Sequence, residues 1–412
     1  MSNILGIICE YNPFHNGHLY HLNEAKRLTN SDYSVAVISG NFSQRGDPAI
    51  VSKWVKTEMA LKCGVDLVLE LPTIYSISSA ENFAYGAIKI LDSLNLVDYL
   101  CFGSECGDIS ILDDIVQVLV EEPKAYRTLL SHELSTGVSF PKAREKALMM
   151  YLGNMRRFAN VLSSPNNILG IEYLKALKKQ DSFIQPVTIK RQEAEHNNNM
   201  FSSSSRFASG SAIRSACISP NIDQLQKYMP EVSFYLLEDC LKKGNYVKDL
   251  SAFDKEILYT LRRMTIADIA NLPDVSEGLE YAIKDAANSC NSVVELLTLI
   301  DTKRYTKTRI RRILLYALLG ISKKDIDISK KVVPYVRVLG FNDKGKNLVS
   351  KIKHKNPSAK IVTSVKKFVD SNGNKNLQVL MNKDIWATNV YTLGFESDSW
   401  GNLDFSRKIV IK

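Results

Sequence analysis

Three of the chain's six histidines, His15, His18 and His21, stand three residues apart in "CEYNPFHNGHLYHLNEAKR" (Cys9–Arg27). Two chemistries suit that spacing. His18 and His21 on one helical face, with Glu10 or Glu24 nearby, would resemble a zinc site, although the run lacks an HExxH arrangement. Alternatively, "FHNGH" (Phe14–His18) sits where a strand ends and a helix begins. A helix N-terminus offers N–H groups without intrahelical partners and a positive dipole end, which suits an anion. Gly17 would let the backbone approach a ligand, and His15 and His18 would add imidazole donors. Such a set can hold the phosphates of a nucleotide. In adenylyl transfer, charge grows on the α-phosphate and on departing pyrophosphate, where fixed donors stabilise the transition state. His21 serves equally well as a structural helix residue.

The elements around this segment alternate. "ILGIICEY" (Ile4–Tyr11), "YSVAVISG" (Tyr33–Gly40), "VDLVLELP" (Val65–Pro72) and "VDYLCFGSE" (Val97–Glu105) read as buried strands. Helical lengths separate them: Gly17–Leu28, "KWVKTEMALKCG" (Lys53–Gly64) and "AENFAYGAIKILDSL" (Ala80–Leu94). That rhythm predicts βαβ units and a Rossmann-like parallel sheet. Ligands bind such sheets at the carboxyl ends of the strands, so the turns after Tyr11, Gly40, Pro72 and Gly103 are expected to converge. Residues 109–160 read as helical. "SSPNNILGIEYLKALKK" (Ser163–Lys179) is a turn and then a helix, and "FIQPVTIKR" (Phe183–Arg191) a further strand. The Asn and Ser runs between Glu193 and Ser209 cannot bury a core and read as a mobile loop. At "SGSAIRS" (Ser209–Ser215) order returns, with Ser209 or Ser211 as N-cap of a helix carrying Arg214. The expected organisation is a Rossmann-like α/β domain over 1–218 and a helical domain over 219–328. A small basic α/β region follows over 329–412, with strands at "YVRVLGF" and "RKIVIK".

With 412 residues, two or three domains are expected. No apolar run of about 18 residues suggests a membrane span, and a first strand at Asn3 leaves no room for a signal peptide. Seven cysteines without a CxxC pair read as free thiols of a reducing cytoplasm. Charge is uneven. Residues 303–412 hold 24 Lys and Arg against 8 Asp and Glu, a net of +16, whereas residues 1–302 carry −7. Such asymmetry suggests a polyanionic partner at one end. The bland reading is a solvated basic surface.

"EYNPFHNGH" is similar to the HxGH motif of the nucleotidyltransferase superfamily, and "SGSAIRS" to the second, ISSTxIR-like motif of the small adenylyltransferases. The KMSKS loop of class I aminoacyl-tRNA synthetases is absent, so "SGSAIRS" would serve for it. A single family resembles the chain over about residues 4–315. "EYNPFHNGHLYH", "SGNFSQRGDPAIVSKW", "GVDLVLELP", "FGSE", "SPNNILGIEY" and "TKRYTKTRIRR" follow in the order of the bacterial tRNA(Met) cytidine acetate ligases. That resemblance implies ATP and acetate forming acetyl-adenylate and pyrophosphate. The wobble cytidine of elongator tRNA(Met) then becomes N4-acetylcytidine, with release of AMP.

The resemblance places ATP along Ile8, Cys9, Glu10, Tyr11, Asn12, Pro13, Phe14, His15, Asn16, Gly17, His18, Leu19, Tyr20 and His21. It gives His15 and His18 the catalytic role, sets Gly103 against the adenosine, and adds Asn166, Arg191, Ser209, Ser211 and Arg214. Asn167 competes with Asn166 for the nucleotide. No metal ligand set is assigned; Mg²⁺ is expected to be held mainly through the ATP phosphates. No Cys or Ser nucleophile with an adjacent base stands out, as suits an acyl-adenylate route. Arg45 and Lys53 follow the second strand and are expected to meet acetate or the tRNA backbone. In the basic segment, Arg304, Lys307 and Arg311 on one helix face are expected to meet tRNA, and "SKIKHKNPSAK" and "SVKKF" to extend that patch. No membrane and no obligate protein partner is implied. The rival readings are a small-molecule adenylyltransferase with a basic accessory domain and a non-catalytic RNA-binding protein.

Overall fold

The computed structural model describes residues 2–412 except 154, 159, 192–204, 219–221, 277, 301–304 and 372. Strands β1 (Asn3–Cys9), β2 (Ser31–Ser39), β3 (Leu67–Leu71), β4 (Tyr99–Ser104) and β5 (Gln185–Lys190) are mutually parallel, in the order β5-β4-β1-β2-β3. Their apolar runs are buried because helices cover both faces. Leu5, Val35, Val37, Leu67 and Leu69 are essentially inaccessible.

The helices that position the site are α1 (Asn16–Thr29), α2 (Lys53–Lys62), α3 (Pro165–Lys179), α4 (Gly210–Cys217), α5 (Lys307–Leu319) and α6 (Asp343–Lys355). Successive strands run outward one way from β1 to β3, and the other way from β4 to β5. The order therefore reverses between β1 and β4, and a crevice opens beyond their carboxyl ends. The expected α/β nucleotidyltransferase-like sheet is thus present.

The basic C-terminal region is not a separate α/β unit. Its strand β6 (Val336–Phe341) pairs antiparallel with β3, and β7 (Ile361–Val362) and β8 (Val410–Ile411) both pair with β6. The edge of β3 would otherwise leave a row of unpaired backbone groups, and β6 closes it. A buried ion network locks the junction. Lys53 Nζ on α2 lies 2.9 Å from Glu70 Oε1 and 2.8 Å from Asp404 Oδ1, and Arg337 lies 3.0 Å from Glu70 Oε2 and bonds Asp404. Burial alone would raise the Asp404 carboxyl; Lys53 and Arg337 instead hold it below the ordinary carboxylate range. Lys53, expected at the crevice, is therefore fully buried and paired. It cannot meet acetate or RNA.

The basic residues of the last quarter are also split. On α6, Lys344 Nζ donates to the Asp32 carbonyl at 3.1 Å, and Lys351 Nζ sits 4.5 Å from the Tyr33 ring centroid. Asn356 bonds the Ser93 carbonyl. These partners lie at the start of β2 and ahead of β4. So "SKIKHKNPSAK" lies across the end of the sheet opposite the crevice and does not extend the α5 patch.

All seven cysteines are free. No helix among the described residues is long and apolar enough to cross a membrane. Removing one member of a buried ion network strands the others without water. Lys53→Ala is therefore expected to lower unfolding free energy by about 3–5 kcal/mol. Urea denaturation checks this; an unchanged midpoint would show that the network is dispensable.

Candidate active site

The histidine segment forms the turn from β1 into α1, and most of its side chains build the turn itself. Ile8, Tyr11, Asn12, Pro13 and Phe14 are buried. Tyr11 and Phe14 pack 4.6 Å apart in the core, and Tyr11 adopts a left-handed φ of 47°. Asn12 Oδ1 accepts the Ile50 N–H at 2.8 Å. Asn16 Nδ2 donates to the carbonyls of Arg206 and Lys227. Leu19 and Tyr20 are half-buried on α1, with Tyr20 edge-on to Phe207. What these residues offer a ligand is shape and backbone.

The expectation of open N–H groups at the start of α1 does not hold. The Asn16 N–H donates to the Tyr228 carbonyl at 2.9 Å, the Gly17 N–H to His15 Nδ1 at 3.1 Å, and the His18 N–H to the His15 carbonyl at 2.9 Å. Gly17 serves this cap: a Cβ there would lie 2.9 Å from His15 Cε1. The glycine makes room for the imidazole rather than for a ligand. The His15 N–H in turn donates to His18 Nδ1 at 3.3 Å, completing a capping box. Both Nδ1 atoms are acceptors, so both rings carry their proton on Nε2. The rings stack with centroids 3.8 Å apart. Burial, then Arg191 and Arg214, pushes His15 down to about 3. Burial and the neighbouring His15, His21 and Arg191 lower His18 as well. At neutral pH the site presents two uncharged N–H donors.

His21 turns away to Cys101 on β4, with Nε2 3.7 Å from Sγ. Among the described residues no group of three His, Cys, Asp or Glu side chains comes together as a metal site.

A second helix N-terminus, that of α4, stands across from the β1 turn. Ser209 caps it by accepting the Ala212 N–H at 3.1 Å, and its Oγ lies 3.0 Å from Ser211 Oγ. Arg214 Nη1 donates to the Asn12 carbonyl at 2.9 Å across 202 positions of sequence. A Cβ on Gly210 would be 3.3 Å from Arg214 Nη1 and 3.8 Å from His15 Nε2. The start of α4 therefore faces the imidazole N–H of the β1 turn, and the two motifs share one crevice.

Beyond β4, the turn after Gly103 meets α3. Glu105 caps α3, accepting the Asn166 N–H at 3.2 Å and the Asn167 N–H at 2.8 Å. Asn167 is buried, and its Oδ1 is occupied by the N–H groups of Glu105 and Cys106. Asn166 Oδ1 instead accepts from Arg191 Nη1 at 3.1 Å, and Arg191 Cγ would lie 3.4 Å from a Cβ on Gly103. Gly103, Asn166 and Arg191 are thus one cluster, while the Asn167 side chain is engaged by the backbone of the turn after β4.

A family model described as HIGH Nucleotidyl Transferase matches residues 2–402. The chain belongs to this family. A relative from Thermoanaerobacter sp. (strain X514), 46% identical over 99% of both chains, is named tRNA(Met) cytidine acetate ligase, as is one from Acetivibrio thermocellus at 44% over 99% of both. The resemblance drawn from the sequence blocks is borne out. TmcAL of Thermotoga maritima bound with alpha-thio ATP matches with a TM-score of 0.93 at 35% identity, over 100% of this chain and 99% of that one; its apo form gives 0.95.

In this HIGH nucleotidyl transferase chain, residues that sequence reasoning passed over also brace the ends of the strands. Lys56 on α2 is buried and donates to the carbonyls of Glu10 at 2.9 Å and Ser39 at 2.7 Å, tying the ends of β1 and β2. Burial pushes its ammonium down to about 8. The available signal was a lysine on the same helical stripe as Ala60. Arg311 is at the crevice wall, with Nη1 3.2 Å from Asp47 Oδ2. Lys307 opens α5 one turn earlier, and Arg304 lies outside the described residues, as does the Asn/Ser run over 192–204.

The histidines set a pH dependence. His15 and His21, at about 3 and about 4, sit below the ordinary 6.5, so the unfolded chain binds more protons in that window. Stability of the ligand-free protein is expected to fall as pH drops from about 6.5 toward 4. Thermal unfolding should show a shallower fall for the doubly substituted His15→Gln, His21→Gln chain. An equally steep fall would contradict the assignment.

Proposed function

We propose that this chain is a tRNA(Met) cytidine acetate ligase that works through acetyl-adenylate. The observation that carries this reading is the convergence of the two phosphate motifs, Arg214 on the Asn12 carbonyl with the start of α4 facing His15 Nε2. The names of the full-length relatives supply the substrate class.

In this reading adenosine lies at Gly103, Asn166 and Arg191, and the phosphates span His15, His18, Ser209, Ser211 and Arg214. An acetate oxygen attacks the α-phosphorus and pyrophosphate leaves. The cytidine exocyclic amine then attacks the acyl carbon, and AMP departs with its electron pair. The chain's part is electrostatic. Two Nε2–H donors, two guanidiniums and the first N–H groups of α4 stand where charge develops, already oriented by their own hydrogen bonds. Neutral imidazoles can donate without repelling Arg191 and Arg214. Mg²⁺, bound through the ATP phosphates, would neutralise phosphate charge. Burial pushes the Cys9 and Cys101 thiols up to about 12, so neither supplies a thiolate for a covalent acyl-enzyme. The basic α5 face beside the crevice suits an RNA polyanion.

Incubation of elongator tRNA(Met) with ATP, acetate and protein, followed by mass spectrometry of the nucleosides, is expected to show acetylcytidine and AMP. AMP release onto a small amine, with unmodified tRNA, would overturn the reading. His18→Ala is expected to lower turnover by about 100-fold or more while tRNA affinity stays at the wild-type value. Equal loss of both would mean that the histidine turn is not a separate activation site.

A further inference from the structure

We infer that Arg45 is a phosphate clamp for the RNA strand that carries the acceptor base, an assignment that rests on the tRNA reading above. Arg45 sits at the tip of a tight hairpin after β2. Ser43 N–H and Oγ both donate to the Asp47 carbonyl, at 2.8 and 2.9 Å, and Gly46 N–H donates to the Ser43 carbonyl at 3.0 Å. Phe42 and Pro48 form an antiparallel bridge below.

Both sides of the tip are clamped. The Gln44 N–H donates to Glu10 Oε1 at 2.8 Å, and Gln44 Nε2 to the Ser78 carbonyl at 3.1 Å. Gly46 has φ 82°, and a Cβ there would lie 2.7 Å from Arg311 Cβ and 2.7 Å from the Arg312 nitrogen. Only glycine lets the tip rest on α5. Gln44, Gly46 and Asp47 are therefore all fixed, and the side chain between them is exposed.

The carboxylates nearest Arg45 are engaged elsewhere. Asp47 is committed to Arg311, and Glu10 to the Gln44 N–H. Among the described residues no carboxylate pairs with Arg45. Its guanidinium adds to the field at Arg214, whose charge is disfavoured first by burial, favoured by Glu10 and Asp47, and disfavoured further by Arg45. Arg45 thus stands exposed on a fixed tip, with neither neighbouring carboxylate bonded to it.

A small carboxylate gains little from one exposed guanidinium, because water screens the pair. A polyanion gains from each such contact by releasing counterions. The Arg45 hairpin packs on α5 at Arg311 and is bonded to Glu10 at the end of β1, so Arg45 stands between the basic helix and the β1 turn. That order traces a path for an RNA backbone from the basic helix to the phosphate site. A phosphate held at Arg45 would place its neighbouring unstacked base over the crevice.

The test compares wild type, Arg45→Ala and Arg45→Lys by tRNA(Met) binding across a salt series, ATP binding, and acetylation kinetics with varied acetate. Arg45→Ala is expected to weaken tRNA binding and to reduce the slope of log affinity against log salt by about 0.7–1. ATP affinity and the KM for acetate should hold, and Arg45→Lys should restore the salt slope. An unchanged slope, or a rise in the acetate KM with tRNA affinity intact, would overturn the clamp. Absence of tRNA acetylation by the wild type would instead reject the ligase reading, so the two failures are distinguishable. A matching thermal midpoint for all three chains separates either outcome from misfolding.

Discussion

The hydrogen bond from Arg214 to the Asn12 carbonyl, 2.9 Å long, is the contact on which the crevice depends. It fastens the start of α4 over the β1 turn. It places a part-buried guanidinium beside two neutral imidazoles, and it aims the start of α4 at His15. Arg214 is uneasy there, since burial lowers its pKa, with only the fields of Glu10 and Asp47 in compensation. A bound polyphosphate would supply the missing negative charge. Burial, and after it the Arg191 cation (joined at His15 by Arg214), keeps His15, His18 and His21 unprotonated. The site is therefore preorganised as hydrogen-bond donors around a part-buried cation, a state that suits a phosphate.

The rest of the chain holds that arrangement still. Lys56 draws the ends of β1 and β2 together from below. Glu105 sets the start of α3 so that Asn166 faces Arg191. On the other side, Tyr391 bonds the Ala49 carbonyl and Asn41 bonds Thr388, so the helix Lys375–Leu393 braces the loop after β2. The buried network of Lys53, Glu70, Arg337 and Asp404 anchors β6 and the last helix to β3 and α2. The C-terminal quarter is thus a part of the catalytic sheet's support as well as a basic surface.

Much of this was legible in local sequence. Apolar runs at strand length gave β1 to β5, and Ser209 was readable as an N-cap because its hydroxyl needs only the N–H three residues on. What escaped depends on partners far away in the chain. Nothing near Asn16 announces that Tyr228 will take its N–H, and so open N–H groups were assigned to the start of α1. Lys53 looked like a crevice residue because its partner Asp404 is 351 positions distant. The strand at Val336–Phe341 was legible, but not its antiparallel place beside β3. A basic count cannot say that α6 crosses the far end of the sheet while α5 touches the crevice. Asn166 and Asn167 both bond Glu105, and they differ in that Asn167 Oδ1 is taken by backbone N–H groups while Asn166 Oδ1 meets Arg191.

The central claim is that acetate is activated on the α-phosphate of ATP inside this crevice. The most direct measurement uses acetate labelled with ¹⁸O in both carboxylate oxygens, with ATP and elongator tRNA(Met), and mass analysis of the AMP formed. An acetyl-adenylate route delivers one labelled oxygen to the phosphate of AMP for each acetylcytidine made. Unlabelled AMP, or label appearing in inorganic phosphate instead, would contradict it.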